Sequence, residues 1–426
     1  MQTRITKGCL LLTLQAALFL FACDPLPKTP EWAKKQQAAP APAAQPADPV
    51  ATSEPPSSPA KPWDCTNNQW SWAPGPDAPI TSVVRLARSP HVRPCPPPAG
   101  SIVPEILPVG LDWKDAVVPA DNPVTAQKAE LGRMLFYDTR LSIDDSTACA
   151  TCHDPNYQYT ERSPRPIGVP GLFGKRRTPT LINRAFSSAQ FWDGRAASLE
   201  DQALQPVTNP MEMAFKSGDE MIARLRELEA YGPFFEAAFG DNAITQERVA
   251  KALATFMRTV VSADSPFDRW RAGDKEALQP DAIAGWELFR GKARCITCHG
   301  GANFTDEQFH NVGVGMNAKV PDLGRYEVTH NERDKGAFKT PSLRNVAERA
   351  PYLHNGSAAT LEEVLALYIT GGEANPWLSP LLEPVPLTED EMRELLAFLK
   401  SLTGTLPHIA APNTLPGGTW DKTRRK

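Results

Sequence analysis

The chain has 426 residues, of which 41% are apolar, so two or three domains with a sizeable core fit within it. Its 45 lysines and arginines against 49 aspartates and glutamates leave a formal net charge of −4. No long basic run offers a footprint for nucleic acid. We therefore expect no nucleic-acid partner.

The N-terminus has the features of a bacterial export signal. Basic residues precede an apolar stretch over residues 10–22, which is too short to span a bilayer because a spanning helix needs about 20 residues. Cys23 after a small residue predicts a lipoprotein signal over residues 1–22, with Cys23 lipidated. An ordinary cleaved signal is the alternative. Asp24 favours retention at the inner membrane, so we expect a periplasmic protein held to that membrane by a lipid anchor.

The next two segments stand apart from the rest of the chain. Residues 23–62 are rich in Pro and Ala and poor in aromatic residues, which predicts a disordered linker. Residues 63–105 form an N-terminal extension that carries two further cysteines, and a Cys65–Cys95 disulfide is the simplest expectation in an exported protein. The function of this extension does not follow from its sequence. Residues 406–426 are predicted to be a C-terminal tail.

Two Cys-x-x-Cys-His motifs, at residues 149–153 and 295–299, carry the chemistry of the chain. Cysteines at this spacing can each form a thioether with one vinyl group of the same haem, and the histidine that follows is placed to bind the iron. Redox or zinc sites are the alternative, but a histidine follows both pairs and export permits haem attachment. We expect two covalently bound haem c groups, held by Cys149, Cys152, His153, Cys295, Cys298 and His299.

A similar short pattern precedes each motif, at residues 132–136 and 285–289, and begins with Gly and ends with Leu-Phe. This indicates a duplicated cytochrome unit. An amphipathic helix is predicted over 125–137, leading into the first motif. The predicted fold is mostly α, with two cytochrome c-like helical domains over residues 106–265 and 266–405, each binding one covalent haem.

The last predicted helix has clear signals at both ends. Thr388 and Glu391 form a capping box, apolar residues recur along one face over 392–399, and Gly404 is the expected stop. Such an apolar face belongs to a core and carries no function of its own.

The supply of axial ligands decides what each haem can do. Outside the motifs the histidines are few, and residues 154–179 contain neither His nor Met, so nothing local closes the far side of the first iron. A haem that only carries electrons has two strong ligands, whereas one that reacts with peroxide keeps a position open. We expect the first iron to be five-coordinate. The histidines outside the motifs are His91, His310, His330, His354 and His408.

Residues from about 124 to 404 resemble the bacterial di-haem cytochrome c peroxidases and MauG, the di-haem enzyme that matures a tryptophan cofactor in methylamine dehydrogenase. Both haem motifs carry the resemblance, which is closer to the MauG-like branch. It is also carried by four further stretches, at residues 191–196, 209–213, 340–346 and 350–356.

The resemblance implies a role for several residues around the first haem. His153 would be the proximal ligand, Glu212 would move a proton from peroxide to the leaving oxygen, and Gln202 would be an amide of the distal pocket. Trp192 would relay oxidising equivalents between the haems. The alternatives are a surface carboxylate at Glu212 and a packed core tryptophan at Trp192.

Two departures from the peroxidases point toward MauG. Residues 166–170 lack the histidine that caps the reactive haem in many peroxidases, so no reductive activation should be needed. Tyr368 stands where the peroxidases use a Met ligand to the second iron. A phenolate stabilises oxidised iron, whereas Met favours the reduced state. A core tyrosine is the alternative, and Met316 is the main rival ligand.

The family also binds calcium between its domains, through an Asn side chain and backbone carbonyls. Arg177 occupies the Asn position here. A guanidinium there puts one cation where another would be held, so the sequence argues against calcium.

Three functions agree with these features to different degrees. The first is a MauG-like enzyme that uses hydrogen peroxide to oxidise a partner protein. The second is a peroxidase that removes hydrogen peroxide with electrons from a small redox protein. The third is an electron carrier without catalysis, against which the missing distal ligand at the first haem argues. The first is favoured by the absent capping histidine and by Tyr368.

Overall fold

The computed structural model describes residues 107–419, apart from 170, 407–408, 410 and 413. The predicted lipoprotein signal, the linker and the Cys65–Cys95 disulfide lie outside the described residues. Within them the chain is mostly helical with little sheet, as predicted. Among the described helices, none combines the length and the apolar character needed to cross a membrane.

The helices lie along the chain in two groups, one before and one after residue 260. The first group is α1 (Ala126–Tyr137), α2 (Cys149–Cys152), α3 (Leu199–Ala203), α4 (Gln205–Thr208), α5 (Gly218–Glu227), α6 (Gly232–Phe239) and α7 (Gln246–Arg258). The second group is α8 (Pro266–Arg271), α9 (Pro280–Arg290), α10 (Tyr326–Thr329), α11 (Leu361–Ile369) and α12 (Glu389–Lys400).

Two short antiparallel strand pairs accompany the helices. Strand β1 (Phe309–His310) pairs with β2 (Phe338–Lys339), so that Phe309 lies opposite Lys339. Strand β3 (Thr414–Leu415) pairs with β4 (Gly418–Thr419) inside the segment predicted to be a tail. Arg140 donates to the carbonyl of Pro416 between these two strands at 2.8 Å, which ties the hairpin to the first group of helices.

The helix boundaries test the sequence signals directly. Helix α1 begins after Thr125, whose hydroxyl accepts a hydrogen bond from a first-turn N–H, and the predicted span is confirmed. The capping box at Thr388 and Glu391 is confirmed as well. The predicted stop of α12 at Gly404 was wrong, because the helix ends at Lys400. Gly404 lies instead against the carbonyl of Ala263, where a Cβ would meet the oxygen at 2.4 Å.

Two hydrophobic cores follow one another along the chain. The first is built from residues between 131 and 260, where α1 packs against α7. The second is built from residues between 267 and 402, where α9 packs against α12. Each core therefore contains the helix that leads into one Cys-x-x-Cys-His motif.

The repeated Gly pattern before the motifs makes the same contact in both cores. Gly132 of α1 faces the Ala252 carbonyl of α7, where a Cβ would lie 2.0 Å from the oxygen. Gly285 of α9 faces the Glu394 carbonyl of α12, where a Cβ would lie 1.9 Å from the oxygen. Only glycine permits this close approach. The neighbouring ring pairs also have similar centroid separations, 4.9 Å for Phe136–Phe256 and 4.8 Å for Phe289–Phe398.

A second repeat follows each motif, and its copies are 162 positions apart (339 − 177 = 162). Residues 177–179 and 339–341 both read basic-Thr-Pro, and the left-handed residues Asn183 and Asn345, with φ of 59° and 54°, keep this spacing. The copies bind each other reciprocally. The N–H of Arg177 donates to the carbonyl of His354, and the N–H of Lys339 donates to the carbonyl of Trp192, each at 2.8 Å. Trp192 in one copy thus takes the place of His354 in the other.

Candidate haem sites

A cavity of about 510 Å³ opens beside the first motif and is lined by residues of both cores. Cavities of this size commonly hold a cofactor. Its lining includes the predicted residues of the first site: Cys149, Cys152, His153, Trp192, Gln202 and Glu212. The structure therefore brings together side chains that span more than sixty positions of the sequence.

His153 is held as a neutral, oriented imidazole. Its Nδ1 lies 3.1 Å from the carbonyl oxygen of Tyr159, and burial lowers its pKa to about 4. A proton on Nδ1 leaves Nε2 free as a donor to a metal, which is the usual arrangement of histidine ligands. His299 is held in the same way: its Nδ1 lies 3.1 Å from the carbonyl oxygen of Phe304, and burial lowers its pKa.

The sulfur atoms of both motifs lie in surroundings that oppose ionisation of a thiol. Burial raises the pKa of Cys149 to about 12 and the pKa values of Cys295 and Cys298 to about 11. Reactive thiols have the opposite property, a lowered pKa in an electropositive setting. These pairs therefore lack the environment of a redox-active dithiol, whereas a thioether needs no thiolate once it has formed.

The walls of the cavity suit a haem in charge as well as in size. Apolar walls meet two buried cations that line the cavity, Lys339 and Arg349, whose pKa values burial lowers to about 8 and about 10. Lys339 already pairs with the Glu307 carboxylate at 2.9 Å, whereas the hydrogen bonds of Arg349 go to the carbonyls of Asn345 and Ser342. A buried cation without a carboxylate partner calls for an anion, and the carboxylates of a haem are such groups. Sequence reasoning missed both residues, although Lys339 could have been found from its equivalence to Arg177 in the repeat.

Glu212 lies in the cavity as a half-buried carboxyl group. Burial raises its pKa, while a hydrogen bond from Asn209 at 2.7 Å and the charge of Arg195 partly oppose the shift. A carboxyl group with a raised pKa can take up and return a proton near neutral pH. Gln202 lines the same cavity and adds an amide to its walls.

The segment without a histidine forms a small hairpin over this cavity. Ile167 pairs with Phe173, and the N–H of Val169 donates to the carbonyl of Glu212 at 2.8 Å. Gly168 lies so close to Met211 that a Cβ would meet its carbonyl oxygen at 2.1 Å. The hairpin thereby holds the backbone of the Glu212 turn.

His153 is the only histidine among the described residues that line the cavity. Three methionines also line it, namely Met211, Met213 and Met257. Thioethers are soft donors, so the spin state of the first iron is the measurement that separates an open position from a sulfur ligand.

Trp192 is fixed at two points. Its indole Nε1–H donates to the carbonyl of Arg177 at 2.8 Å, and its own carbonyl accepts from Lys339 as described above. The indole lines the cavity and is partly exposed to it. Trp192 therefore lies where the two copies of the second repeat meet.

Tyr368 lies near the second motif. Burial raises the pKa of its hydroxyl, and the neighbouring Cys298 and Cys295 raise it further. Among the described residues no hydrogen-bond partner is found for this hydroxyl, so it is not tied to the backbone as a core tyrosine would be. Of the rival ligands, Met316 has its sulfur next to Gly336, and His354 stacks on Phe338 with ring centroids 3.7 Å apart.

The position of the family's calcium ligand is filled by a guanidinium. The side chain of Arg177 is buried and donates to backbone carbonyls and one hydroxyl. Calcium takes six to eight oxygen ligands, and Arg177 already uses the oxygens here. The residues present do not fit calcium at this place.

Comparison with known proteins identifies the family. The sequence model described as "Di-haem cytochrome c peroxidase" matches residues 126–276. MauG of Methylophilus methylotrophus is 42% identical over 301 residues, which cover 69% of this chain and 88% of MauG. The chain belongs to the di-haem cytochrome c peroxidase and MauG family. Cytochrome c551 peroxidase of Nitrosomonas europaea is 36% identical over 299 residues, with 69% and 85% covered.

Solved structures agree with this assignment. A MauG-like protein associated with microbial copper homeostasis is 31% identical and has a TM-score of 0.63, with 75% of this chain and 96% of that chain covered. The di-haem peroxidase BthA of Burkholderia thailandensis shares the fold, with a TM-score of 0.57 at 23% identity and coverage of 72% and 92%. The family predicted from the motifs is thus confirmed, and its members are di-haem oxidoreductases.

Proposed function

We propose that this chain is a periplasmic di-haem enzyme that reacts with hydrogen peroxide at an open first haem and oxidises a partner protein by way of a Tyr368-ligated second haem. Two observations carry the proposal: His153, Glu212, Gln202 and Trp192 line one cavity, and Tyr368 is a neighbour of the cysteines of the second motif. The overall reaction takes two electrons from the partner and reduces hydrogen peroxide, with two protons, to two waters.

When bound, the first haem supplies the iron that meets peroxide, and the second holds an oxidising equivalent. His153 orients the first through its bond to the Tyr159 carbonyl. Glu212 takes a proton from incoming peroxide and returns it to the leaving oxygen, because its half-buried carboxyl group lines the same cavity. Gln202 adds a hydrogen-bonding amide. Trp192 relays oxidising equivalents between the two sites.

Tyr368 is the residue proposed to set which oxidation state the second site favours. Burial raises the pKa of its hydroxyl, so in the absence of a nearby positive charge it remains a phenol. A ferric iron is such a charge and would hold the phenolate, as metals do with other acidic ligands. A hard anionic ligand favours oxidised iron, which suits storage of an oxidising equivalent.

The peroxidase alternative has support of its own, since cytochrome c551 peroxidase of Nitrosomonas europaea is also a close relative. In that case a small redox protein supplies the electrons and the chain removes hydrogen peroxide. The electron-carrier alternative is less favoured, because a protein that only carries electrons has no use for a carboxyl group and an amide in the cavity of its first motif.

The remaining proposals concern organisation and location. We propose haem domains over 106–265 and 266–405, each with a covalent haem, and a lipid anchor at Cys23 that holds the enzyme in the periplasm at the inner membrane. Because the described residues do not fit calcium at Arg177, we propose that the enzyme works without that ion.

Optical and EPR spectra of the as-isolated ferric protein test the proposed function. We expect one high-spin haem with His153 as its protein ligand and one low-spin haem bound by His299 and Tyr368. Two low-spin signals together with no reaction toward peroxide would refute it and favour the electron carrier. A requirement for prior reduction before peroxide reacts would favour the peroxidase.

A further inference from the structure

The guanidinium of Arg177 sits in a nest of neutral oxygens. The side chain is buried, with 5% of the residue exposed. Its two terminal nitrogens donate to five acceptors, none of which is a carboxylate. They are Thr160 Oγ1 (3.0 Å) and the carbonyl oxygens of Thr178 (3.2 Å), Glu161 (3.0 Å), Arg349 (3.0 Å) and Ala350 (3.3 Å).

These acceptors come from two separate parts of the chain. Residues 160–178 belong to the stretch that follows the first motif, whereas residues 349–350 belong to the stretch that follows the second motif. A buried charge is costly unless many well-directed hydrogen bonds compensate it. The two terminal nitrogens of Arg177 meet this condition, whereas no partner for its buried Nε is found among the described residues. The planar fork can reach all five oxygens in one orientation only, so these bonds fix Arg177 in place.

The main chain of Arg177 is the part that touches the proposed relay. Its carbonyl accepts the indole N–H of Trp192 at 2.8 Å, and its N–H donates to the carbonyl of His354 at 2.8 Å. Fixing the side chain of Arg177 therefore fixes the acceptor that sets the tilt of the indole.

The other copy of the repeat provides an internal comparison. Lys339 is the equivalent of Arg177, and its ammonium donates to the Glu307 carboxylate at 2.9 Å and to the Thr340 carbonyl at 3.3 Å. The residue equivalent to Trp192 in that copy is His354, whose ring stacks on Phe338. The nest of neutral oxygens is thus found in the copy whose carbonyl binds the indole.

We propose that Arg177 is the positioning residue of Trp192, and that its guanidinium acts as a built-in cation that holds the indole in the orientation needed for relay between the two haem sites. This rests on the proposed function, in which Trp192 carries the relay. Because the guanidinium is covalently attached and always charged, the orientation needs no bound metal ion.

The test separates position from relay in the holoenzyme. Ultraviolet resonance Raman spectra report the hydrogen bond of an indole N–H, and subtraction of the Trp192→Phe spectrum isolates Trp192 from the other nine of the 10 tryptophans. Arg177→Ala should shift the Trp192 band and slow the response of the second haem to peroxide by about 10- to 100-fold, the loss expected when a relay group is misplaced. Reaction of the first haem with peroxide should keep its rate.

Chemical rescue distinguishes loss of the guanidinium from general damage to the fold, which added guanidinium ion would not restore. Guanidinium ion added to Arg177→Ala should restore the band and part of the rate, whereas calcium chloride at the same ionic strength should not. Arg177→Lys, which keeps the charge but loses the fork, should be intermediate. Arg258→Ala is the matched control, because Arg258 is a buried arginine that binds Glu200 and the Val117 carbonyl without touching Trp192. It should lower stability without shifting the band.

The outcomes are distinguishable. An unshifted Trp192 band in both Arg177 variants overturns the positioning role, whatever the relay does. A normal rate in Trp192→Phe overturns the relay of the proposed function, while the Raman band still reports whether Arg177 orients the indole. If calcium restores Arg177→Ala as well as guanidinium does, the nest is a general cation site and the role of the arginine fork is refuted. In the double variant, Arg177→Ala should add no further loss to Trp192→Phe.

Discussion

Replacement of Glu212 by Gln isolates proton transfer from everything else that this side chain does. The substitution keeps the size of the side chain and an oxygen that can accept the hydrogen bond from Asn209, now 2.7 Å long. It removes only the group that takes up and returns a proton. General acid–base catalysis contributes about 10²- to 10⁴-fold, so the barrier should rise by about 2.7 to 5.4 kcal/mol.

The same role for Glu212 predicts the direction in which the rate constant for peroxide changes with pH. Burial raises the pKa of Glu212 above its usual value of 4.5. The carboxylate must be ionised to accept a proton from peroxide, so the bimolecular rate constant of the wild type should fall as pH drops through this raised pKa and level off above it. Glu212→Gln should lose that titration and be flat over the same range.

Stopped-flow mixing of the ferric protein with excess hydrogen peroxide measures both quantities from the spectrum of the first haem. The haem content and the ferric spectra of the variant should match those of the wild type, since Glu212 is not proposed as a ligand. An unchanged rate, or a slow rate that keeps the wild-type pH profile, would remove Glu212 from the mechanism.

Two further predictions concern the second haem and the helix contact that carries it. Tyr368→Met should raise the reduction potential of the second haem, measured by spectroelectrochemistry, and leave the reaction of the first haem with peroxide intact; an unaltered low-spin spectrum would refute ligation and make Met316 or His354 the leading candidate. Gly285→Ala should destabilise the fold by about 1–3 kcal/mol or more in thermal or denaturant unfolding, because a Cβ would lie 1.9 Å from the Glu394 carbonyl oxygen. Gly232→Ala is its control, since the nearest atom to its Cβ would lie 3.7 Å away, and equal losses in the two variants would contradict the close-contact explanation.

Local signals in the sequence predicted the first residues of α1 and α12. Thr125 and Thr388 cap helices where expected, because a cap depends on residues within one turn. The stop at Gly404 was wrong for a tertiary reason. That glycine is required by the Ala263 carbonyl, which is distant in sequence, and a glycine kept for close packing looks like one kept for a helix end.

The other residues of the first site were harder to predict from the sequence than the helix boundaries. The haem motif marks Cys149, Cys152 and His153 by spacing alone, but Glu212 and Trp192 were found only through resemblance to a family. The buried cations Lys339 and Arg349 carry no local signal, since their burial results from packing between segments that follow different motifs. Pairwise contacts of this kind are set by the whole fold.

Duplication explains why one chain can hold two sites of different character. The two copies share their Gly contacts, their histidine-to-carbonyl bonds and their reciprocal backbone bonds, so the scaffold places both haem motifs in the same manner. Chemistry then depends on the residues in which the copies differ. Arg177 and Trp192 in one copy correspond to Lys339 and His354 in the other, at positions that make equivalent backbone hydrogen bonds.

The reciprocal backbone bonds between the two copies also affect the position of Trp192. Since the N–H groups of Arg177 and Lys339 bind the carbonyls of the opposite copy, a shift of either copy must move the main chain on which Trp192 is carried. The indole is therefore coupled to the spacing between the two sites. A side chain that is to relay electrons benefits from this arrangement, because transfer between redox centres depends steeply on distance, and the same bonds that join the copies hold that distance constant.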